Sequence, residues 1–350
     1  MKKMLAMLLA LVMILGLAAC ASTKPAADAT ATSEPSNTGD SASAETSAEA
    51  SDAAPAESGK TYTVGVCQLI QHEALDAATQ GFIDALKEEL GDAVTVDVQN
   101  ASGDSVNCGT IVNGFVSRGV DLIMANATPA LTAAVSATAD IPILGTSITA
   151  YGVALDIDDF SGTVGGNVSG TSDLADLQKQ AQMILDWFPE TKTVGLLFCS
   201  AEPNSRYQID EVRKALEAQG VTCEEFAFTD SNDVSSVTQK AADFSDVVYI
   251  PTDNTAASNT EAIANVLIPA GVPAICGEEG ICRGCGVATL SISYYDLGVT
   301  TGKMAAKILK GEANISEMPV EYTDATPKYN ASICDQLGIT PLDGYEAIEG

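Results

Sequence analysis

From Tyr62 onward, short β-branched runs alternate with amphipathic stretches, and the pattern restarts after about 130 residues. No other feature of the chain narrows its fold as much. The first strand is expected at Tyr62–Leu69. A helix follows over Leu75–Leu90, with Leu75, Ala78, Phe82, Ala85, Leu86 and Leu90 on one face. Strands Val94–Val98, Val120–Ala125 and Ile141–Gly145 then alternate with helices Cys108–Arg118 and Pro129–Ala139. The second round places strands at Thr193–Cys199, Val221–Phe228, Val247–Pro251 and Val272–Cys276. Its helices fall at Tyr207–Gln219, Val234–Ala242 and Ala256–Ala270. Val64 and Val194, Asp121 and Asp246, and Pro142 and Pro273 occupy equivalent places in the two rounds. The pattern predicts an α/β chain with two Rossmann-like lobes, each built on a parallel sheet, joined by a hinge.

The segment before this body is of another kind. Lys2 and Lys3 precede an apolar run, Met4 to Ala19, that is short for a membrane span and ends in Leu17-Ala18-Ala19-Cys20. This is the pattern of a bacterial lipoprotein signal. It predicts that residues 1–19 are a signal peptide and that Cys20 carries the lipid, palmitate included, that anchors the protein to the outer face of the cell membrane. Residues 20–59 hold no Val, Ile, Leu, Phe or Tyr, so a disordered tether is expected there.

Composition excludes several functions. With 17 Lys+Arg against 47 Asp+Glu, the net charge of −30 opposes binding to nucleic acid. A single His makes a His-based metal site or a Ser-His-Asp triad improbable. No Walker loop or dinucleotide fingerprint is present, no nucleophile lies beside a base, and no cofactor is implied. The chain therefore reads as a non-enzyme. Nine cysteines remain to be placed: beyond Cys20, most sit where Val or Ala would serve in a strand. Cys282-Arg283-Gly284-Cys285 is the one local pair, and it reads as an incidental or locally bridged pair in a Gly-rich loop.

Two open α/β sheets bind ligands at the carboxyl ends of their strands, and facing edges make one cleft. The loops following the expected strands are polar and rich in Gly, Ser and Thr. They include Gln71-His72-Glu73, Asn126-Ala127-Thr128-Pro129, Thr146-Ser147, Ser200 to Ser205, Thr252-Asp253-Asn254-Thr255 and Gly277-Glu278-Glu279-Gly280.

At these loops the body resembles bacterial ABC-transporter substrate-binding proteins of the group associated with tryptophan and tyrosine uptake. The resemblance is carried by Gln71 to Asp76 with Gly81-Phe82, by Val120 to Ile123 through Ala127-Thr128-Pro129, and by Ile141-Pro142-Ile143. It continues in Gly166 to Asp173, Pro203-Asn204-Ser205, Val248 to Asn254, and Tyr294 to Gly298 with Thr301-Gly302. It departs at Ile281 to Cys285. The resemblance implies a monomeric binding protein of type I periplasmic fold, closing by a hinge around one ligand and docking on ABC permease subunits. Lobe boundaries are expected at 60–165 plus 290–320, and at 166–289 plus 321–350.

A zwitterionic amino acid needs donors for its carboxylate and an anion for its ammonium. Thr128 is expected as the N-cap of a helix beginning at Pro129, with Ser172, Asp173 and Ser205 opening helices in the same manner. Asp253, between Thr252 and Asn254 after a buried strand, is the expected ammonium partner, with Glu278 or Glu279 as a substitute. His72, Thr146, Ser147, Asn204 and Tyr294 complete the expected site. Tyr151 and Tyr207 are further candidates for an aromatic wall, and Trp187 is expected to pack at a helix end. Sugar or nucleoside is the alternative ligand class, and a sensory lipoprotein feeding a receptor kinase the alternative role.

Overall fold

The computed structural model describes residues 59–349. The expected signal peptide, the lipidated Cys20 and the tether up to residue 58 lie outside the described residues. Among the described residues no helix is long and apolar enough to cross a membrane.

The first lobe opens with β1 (Tyr62–Gln68), α1 (Glu73–Leu90), β2 (Val94–Asn100), α2 (Ser105–Arg118), β3 (Leu122–Asn126), α3 (Thr128–Ala137), β4 (Ile143–Ile148), α4 (Tyr151–Ala154) and β5 (Val168–Ser172). The second follows with α5 (Leu177–Trp187), β6 (Thr193–Cys199), α6 (Pro203–Glu217), β7 (Thr222–Phe228), α7 (Val234–Phe244) and β8 (Val247–Ile250). It continues through α8 (Asn254–Ala257), α9 (Thr260–Ala270), β9 (Ala274–Cys276), α10 (Glu279–Cys285) and β10 (Ala288–Ser291). The chain then returns to the first lobe for α11 (Tyr294–Leu309) and β11 (Glu321–Tyr322). It ends in the second with β12 (Thr326–Tyr329), α12 (Ala331–Leu337) and β13 (Glu346–Ala347).

The two sheets have orders β11-β5-β4-β3-β1-β2 and β13-β12-β10-β9-β8-β6-β7. Every pairing is parallel except β10 with β12. Strands β3, β4 and β8 are buried along their whole length, as expected for parallel sheets covered on both faces. Each sheet is sandwiched between two apolar clusters. In the first lobe Val64, Val66, Leu122 and Met124 face Phe82, Leu86 and Met304, while Ile123 and Ile143 face Val112, Phe115 and Leu131.

The expected lobe boundaries need correction. Val168–Ser172 pairs with β4, so residues 168–172 belong to the first sheet rather than to the second lobe. Residues 290–291 belong to β10 of the second sheet, and 321–322 to the first. The chain therefore passes between the sheets at 173–176, 292–293 and 323–325. Strand β5 escapes hydropathy because its side chains are small and polar. Thr171 Oγ1 pairs with Thr146 Oγ1 at 3.2 Å and with Thr301 Oγ1 at 2.9 Å, and Ser169 donates to the Met318 carbonyl. Its hydroxyls are satisfied inside the protein, so the strand is buried without being apolar.

The expected helix Ala256–Ala270 is broken into α8 and α9 around Ser258 and Asn259. Cys282 and Cys285 lie on helix α10, not in a loop. Both thiols are free and buried, so the pair reads as core packing.

Helices α1 and α11 meet backbone to backbone. A Cβ on Gly298 would lie 2.0 Å from the Ala78 carbonyl oxygen, and one on Gly81 would lie 2.1 Å from that of Tyr295. Gly298→Val should therefore force the helices apart and lower stability by about 3 kcal/mol. Urea denaturation would read this as a fall in midpoint, and an unchanged midpoint would refute the contact. The contact matters for the site because α11 carries Tyr294 at its first turn.

Candidate functional site

The loops at the carboxyl ends of both sheets enclose one cavity. The first lobe contributes His72 and Leu75 after β1, Ser147 and Thr149 at the end of β4, and Asp173 after β5. The second contributes Asn204 after β6, Thr252, Asp253, Asn254 and Ala257 after β8, and Glu278 after β9. Tyr294 enters from the connection between β10 and α11. The cavity is closed down to a volume of about 10 Å³, room for about one water.

Asp173 is the most exposed of these residues in chemical terms and among the least in accessibility. Its side chain is 3% exposed. Oδ2 accepts a hydrogen bond from the Tyr294 hydroxyl at 2.9 Å, while Oδ1 is buried without a partner. Burial raises its carboxyl above the usual range, and hydrogen bonds from the Tyr294 and Thr149 hydroxyls and its own backbone offset part of that rise. Ser147 Oγ and Asn204 Oδ1 are likewise buried without partners. Ser147 also holds a left-handed backbone, φ 55°, beside an irregularity in the β4–β5 register. Such strain in a non-glycine residue is tolerated only where the surroundings hold it, and is concentrated at functional sites.

Asp253 plays a different part from the one expected. Oδ2 accepts from the Cys199 amide at 2.7 Å and Oδ1 from the Ala256 amide at 2.8 Å. It caps α8 and ties that helix to the end of β6, so both oxygens are committed to backbone. Burial first, and then the Glu202 carboxylate, push its pKa up to about 8. Glu278 caps α10 in the same way, accepting from the Gly280 amide at 2.7 Å and from the Ile281 amide. Burial pushes it up to about 7.

Other expected cap positions are also revised. The residue before α3 is Ala127, at φ 90°, and Thr128 is already helical and makes no cap bond. Ser172 closes β5, donating to the Thr149 carbonyl at 3.0 Å, and Asp176 caps α5. Ser205 lies inside α6, behind the cavity wall, with its hydroxyl on Asp253. Thr146 points into the first lobe toward Thr171. None of Thr128, Thr146, Ser172 and Ser205 lines the cavity. Tyr151 is buried in the first-lobe core, stacked on Phe160, and Tyr207 packs on the second-lobe core. Trp187 ends α5 and packs on Tyr345 and Tyr329.

The sequence reading missed Glu202. This buried carboxylate accepts from the Asn254 amide at 3.0 Å and side chain at 2.6 Å, and from the Thr255 amide at 2.9 Å and hydroxyl at 2.8 Å. The Asn204 side chain adds a fifth donor at 3.3 Å. A glutamate in a polar loop looks like a solvated one; only the fold brings the Asn254 and Thr255 donors to it. The bond from Asn254 Nδ2 to Glu202 turns Oδ1 toward His72, whose Nε2 lies 3.2 Å away and donates. His72 belongs to the first lobe and Asn254 to the second, so this bond crosses the cleft. Burial lowers the His72 pKa, opposed by Asn254 and by the carboxylates of Glu202 and Asp76. A second cross-cleft link is the ion pair between Arg283 on α10 and Glu73 at the start of α1.

Among the described residues no group of three or more His, Cys, Asp or Glu side chains is placed to hold a metal ion. Capped carboxyls, open acceptors and hydroxyls face an enclosed space, an arrangement suited to holding a small polar ligand.

The profile of the family described as ABC transporter substrate binding protein matches residues 63–344. A "Tyrosine-binding protein" of Clostridioides difficile (strain R20291) is 33% identical over 276 residues, covering 77% of this chain and 79% of that protein. Among solved structures, an ABC domain in complex with L-Trp from Streptococcus pneumonia is 32% identical. It covers 83% of this chain and 100% of its own, with a TM-score of 0.78. The ligand-free, open structure of a substrate binding protein with adhesive properties from Clostridium difficile is 33% identical over 83% of this chain and 99% of its own. Its TM-score is 0.63. By this match over residues 63–344 and this identity to a curated relative, with two parallel-sheet lobes enclosing a polar cavity, this chain belongs to the family of ABC-transporter substrate-binding proteins.

Proposed function

We propose that the protein is the lipid-anchored, extracytoplasmic receptor of an ABC importer. As a monomer it captures an aromatic amino acid between its lobes, closes by hinge motion and delivers the ligand to the permease. The observation that carries this reading is the convergence of three unpartnered buried polar atoms, Ser147 Oγ, Asp173 Oδ1 and Asn204 Oδ1, on one cavity between the lobes. Buried polar atoms are nearly always satisfied, so these await a ligand. Asp173 Oδ1 takes the ammonium, and Ser147 offers a donor to the carboxylate. Leu75, Ala257 and the Tyr294 ring supply apolar surface for an aromatic group, and Leu69, Ile70 and Pro129 add more in an adjoining cavity of about 170 Å³.

Two observations support closure. A cavity this small admits an amino acid only after the lobes separate. At nearly equal identity, the backbone is closer to the L-Trp complex than to the ligand-free open structure. The three connections at 173–176, 292–293 and 323–325 are the places for a hinge. The relatives' tyrosine and tryptophan guide the choice of ligand.

A thermal-shift screen with tyrosine, tryptophan, phenylalanine, hexoses and nucleosides tests the reading. A ligand at 100 times its Kd should raise Tm by about 5–10 °C. A shift with a sugar or nucleoside and none with the aromatic amino acids would overturn it.

A further inference from the structure

The cavity has an unusual charge inventory for a site that takes a zwitterion. Three carboxyls line it, those of Asp173, Asp253 and Glu278, and no Lys or Arg does. A fourth, Glu202, lies directly behind Asn254. Arg283 is engaged outside the cavity by Glu73 and Glu279. The donors that offset the inner carboxyls are neutral: backbone amides on Asp253 and Glu278, and the Tyr294 hydroxyl on Asp173. Asp173 Oδ1 and Asn204 Oδ1 are open acceptors. Both belong to residues more than nine-tenths buried, and Ser147 Oγ is the open side-chain donor.

These features treat the two ends of an amino acid unequally. An ammonium brings N–H donors to open acceptors and a positive charge to the Asp173 carboxyl in a desolvated space. Both effects strengthen as water is excluded. A carboxylate brings a negative charge beside Asp173, with neutral hydroxyls of Ser147, Thr149, Thr252 and Tyr294 around it but no Lys or Arg to offset it. Like charges in such a space oppose each other. Burial, the main cause of the raised pKa values of Asp253 and Glu278, marks the space as desolvated.

We propose that the site recognises a protonated primary amine carrying an aryl group, and that the α-carboxylate is dispensable, so arylalkylamines are ligands alongside the aromatic amino acids. The proposal rests on the aromatic amino-acid reading of the site and extends its substrate class to decarboxylated amines.

Titration calorimetry of the full chain with tyrosine, tyramine and 3-(4-hydroxyphenyl)propionate separates the possibilities. Tyramine within tenfold of tyrosine in Kd, or tighter, with no binding of the propionate, is the expected result. Tyramine more than tenfold weaker than tyrosine would overturn the proposal while leaving the amino-acid reading intact. Binding of the propionate but not of tyramine would overturn it as well. Tyramine binding without tyrosine would uphold amine recognition and remove the amino-acid reading, whereas silence from all three would remove both. The same series built on tryptophan, tryptamine and indole-3-propionate repeats the comparison for a larger ring.

Discussion

Asp173→Asn should weaken binding of an aromatic amino acid by about 100- to 1,000-fold. The side chain keeps its shape, and its remaining oxygen can still accept from Tyr294, so the fold should persist. What disappears is the buried negative charge opposite the ammonium. Removing one partner of a desolvated charged pair costs about 2–5 kcal/mol, and each 1.4 kcal/mol is tenfold in Kd. Asp253→Ala is the instructive contrast. Asp253 has both oxygens on backbone amides, so its loss removes the cap of α8 and a tie to β6. It should lower stability by about 1–2 kcal/mol before it touches affinity. Calorimetry together with thermal melts separates the two effects. If Asp173→Asn bound ligand like the parent and Asp253→Asn did not, the ammonium would belong on Asp253.

Stability should fall as pH rises from about 5 to 8. Burial and the neighbouring Glu202 carboxylate push Asp253 up to about 8 from 3.8, and burial pushes Glu278 up to about 7 from 4.5. Across this window the unfolded chain has already lost these protons while the folded protein retains them. The native state therefore binds more protons, and each group removes about 1.4 kcal/mol of stability per pH unit until its folded value is reached. His72 acts in the opposite sense below about 6.5, because burial lowers its folded pKa and acid favours the unfolded, protonated form. The net expectation is a loss on the order of a few kcal/mol between pH 5 and 8, seen by calorimetry as a lower Tm at pH 8. Asp253→Asn should flatten the slope by one group. A parent protein with the same Tm across the window would mean that these carboxyls ionise at ordinary values inside the fold.

Much of the scaffold was legible in the sequence because burial and hydropathy agree there. Strands such as β3 and β8 are apolar throughout, and α1 shows its buried face at helical spacing through Leu75, Ala78, Phe82 and Leu86. The hidden elements are those where burial is achieved by hydrogen bonding. Strand β5 is lined with Ser and Thr whose partners, Thr146, Thr301 and the Met318 carbonyl, come from distant parts of the chain. That single strand displaced the expected lobe boundary. The loops after the strands were also legible as a group, since polar residues following apolar runs at sheet ends are readable by type. The roles within them were not. Asp253 and Asp173 are both aspartates beside a helix or strand end, and no local pattern tells which has a free oxygen.

The alternation of strand and helix, restarted halfway along the chain, was enough to determine two parallel α/β lobes, because side-chain periodicity is a local property. The crossing points between lobes, the cap roles of Asp253 and Glu278, the donors around Glu202 and the open oxygen of Asp173 were decided only by tertiary structure. The partners of Glu202, Asp173 and Asp253 include residues tens to more than a hundred positions away, and how far water is excluded when they meet is set by the fold.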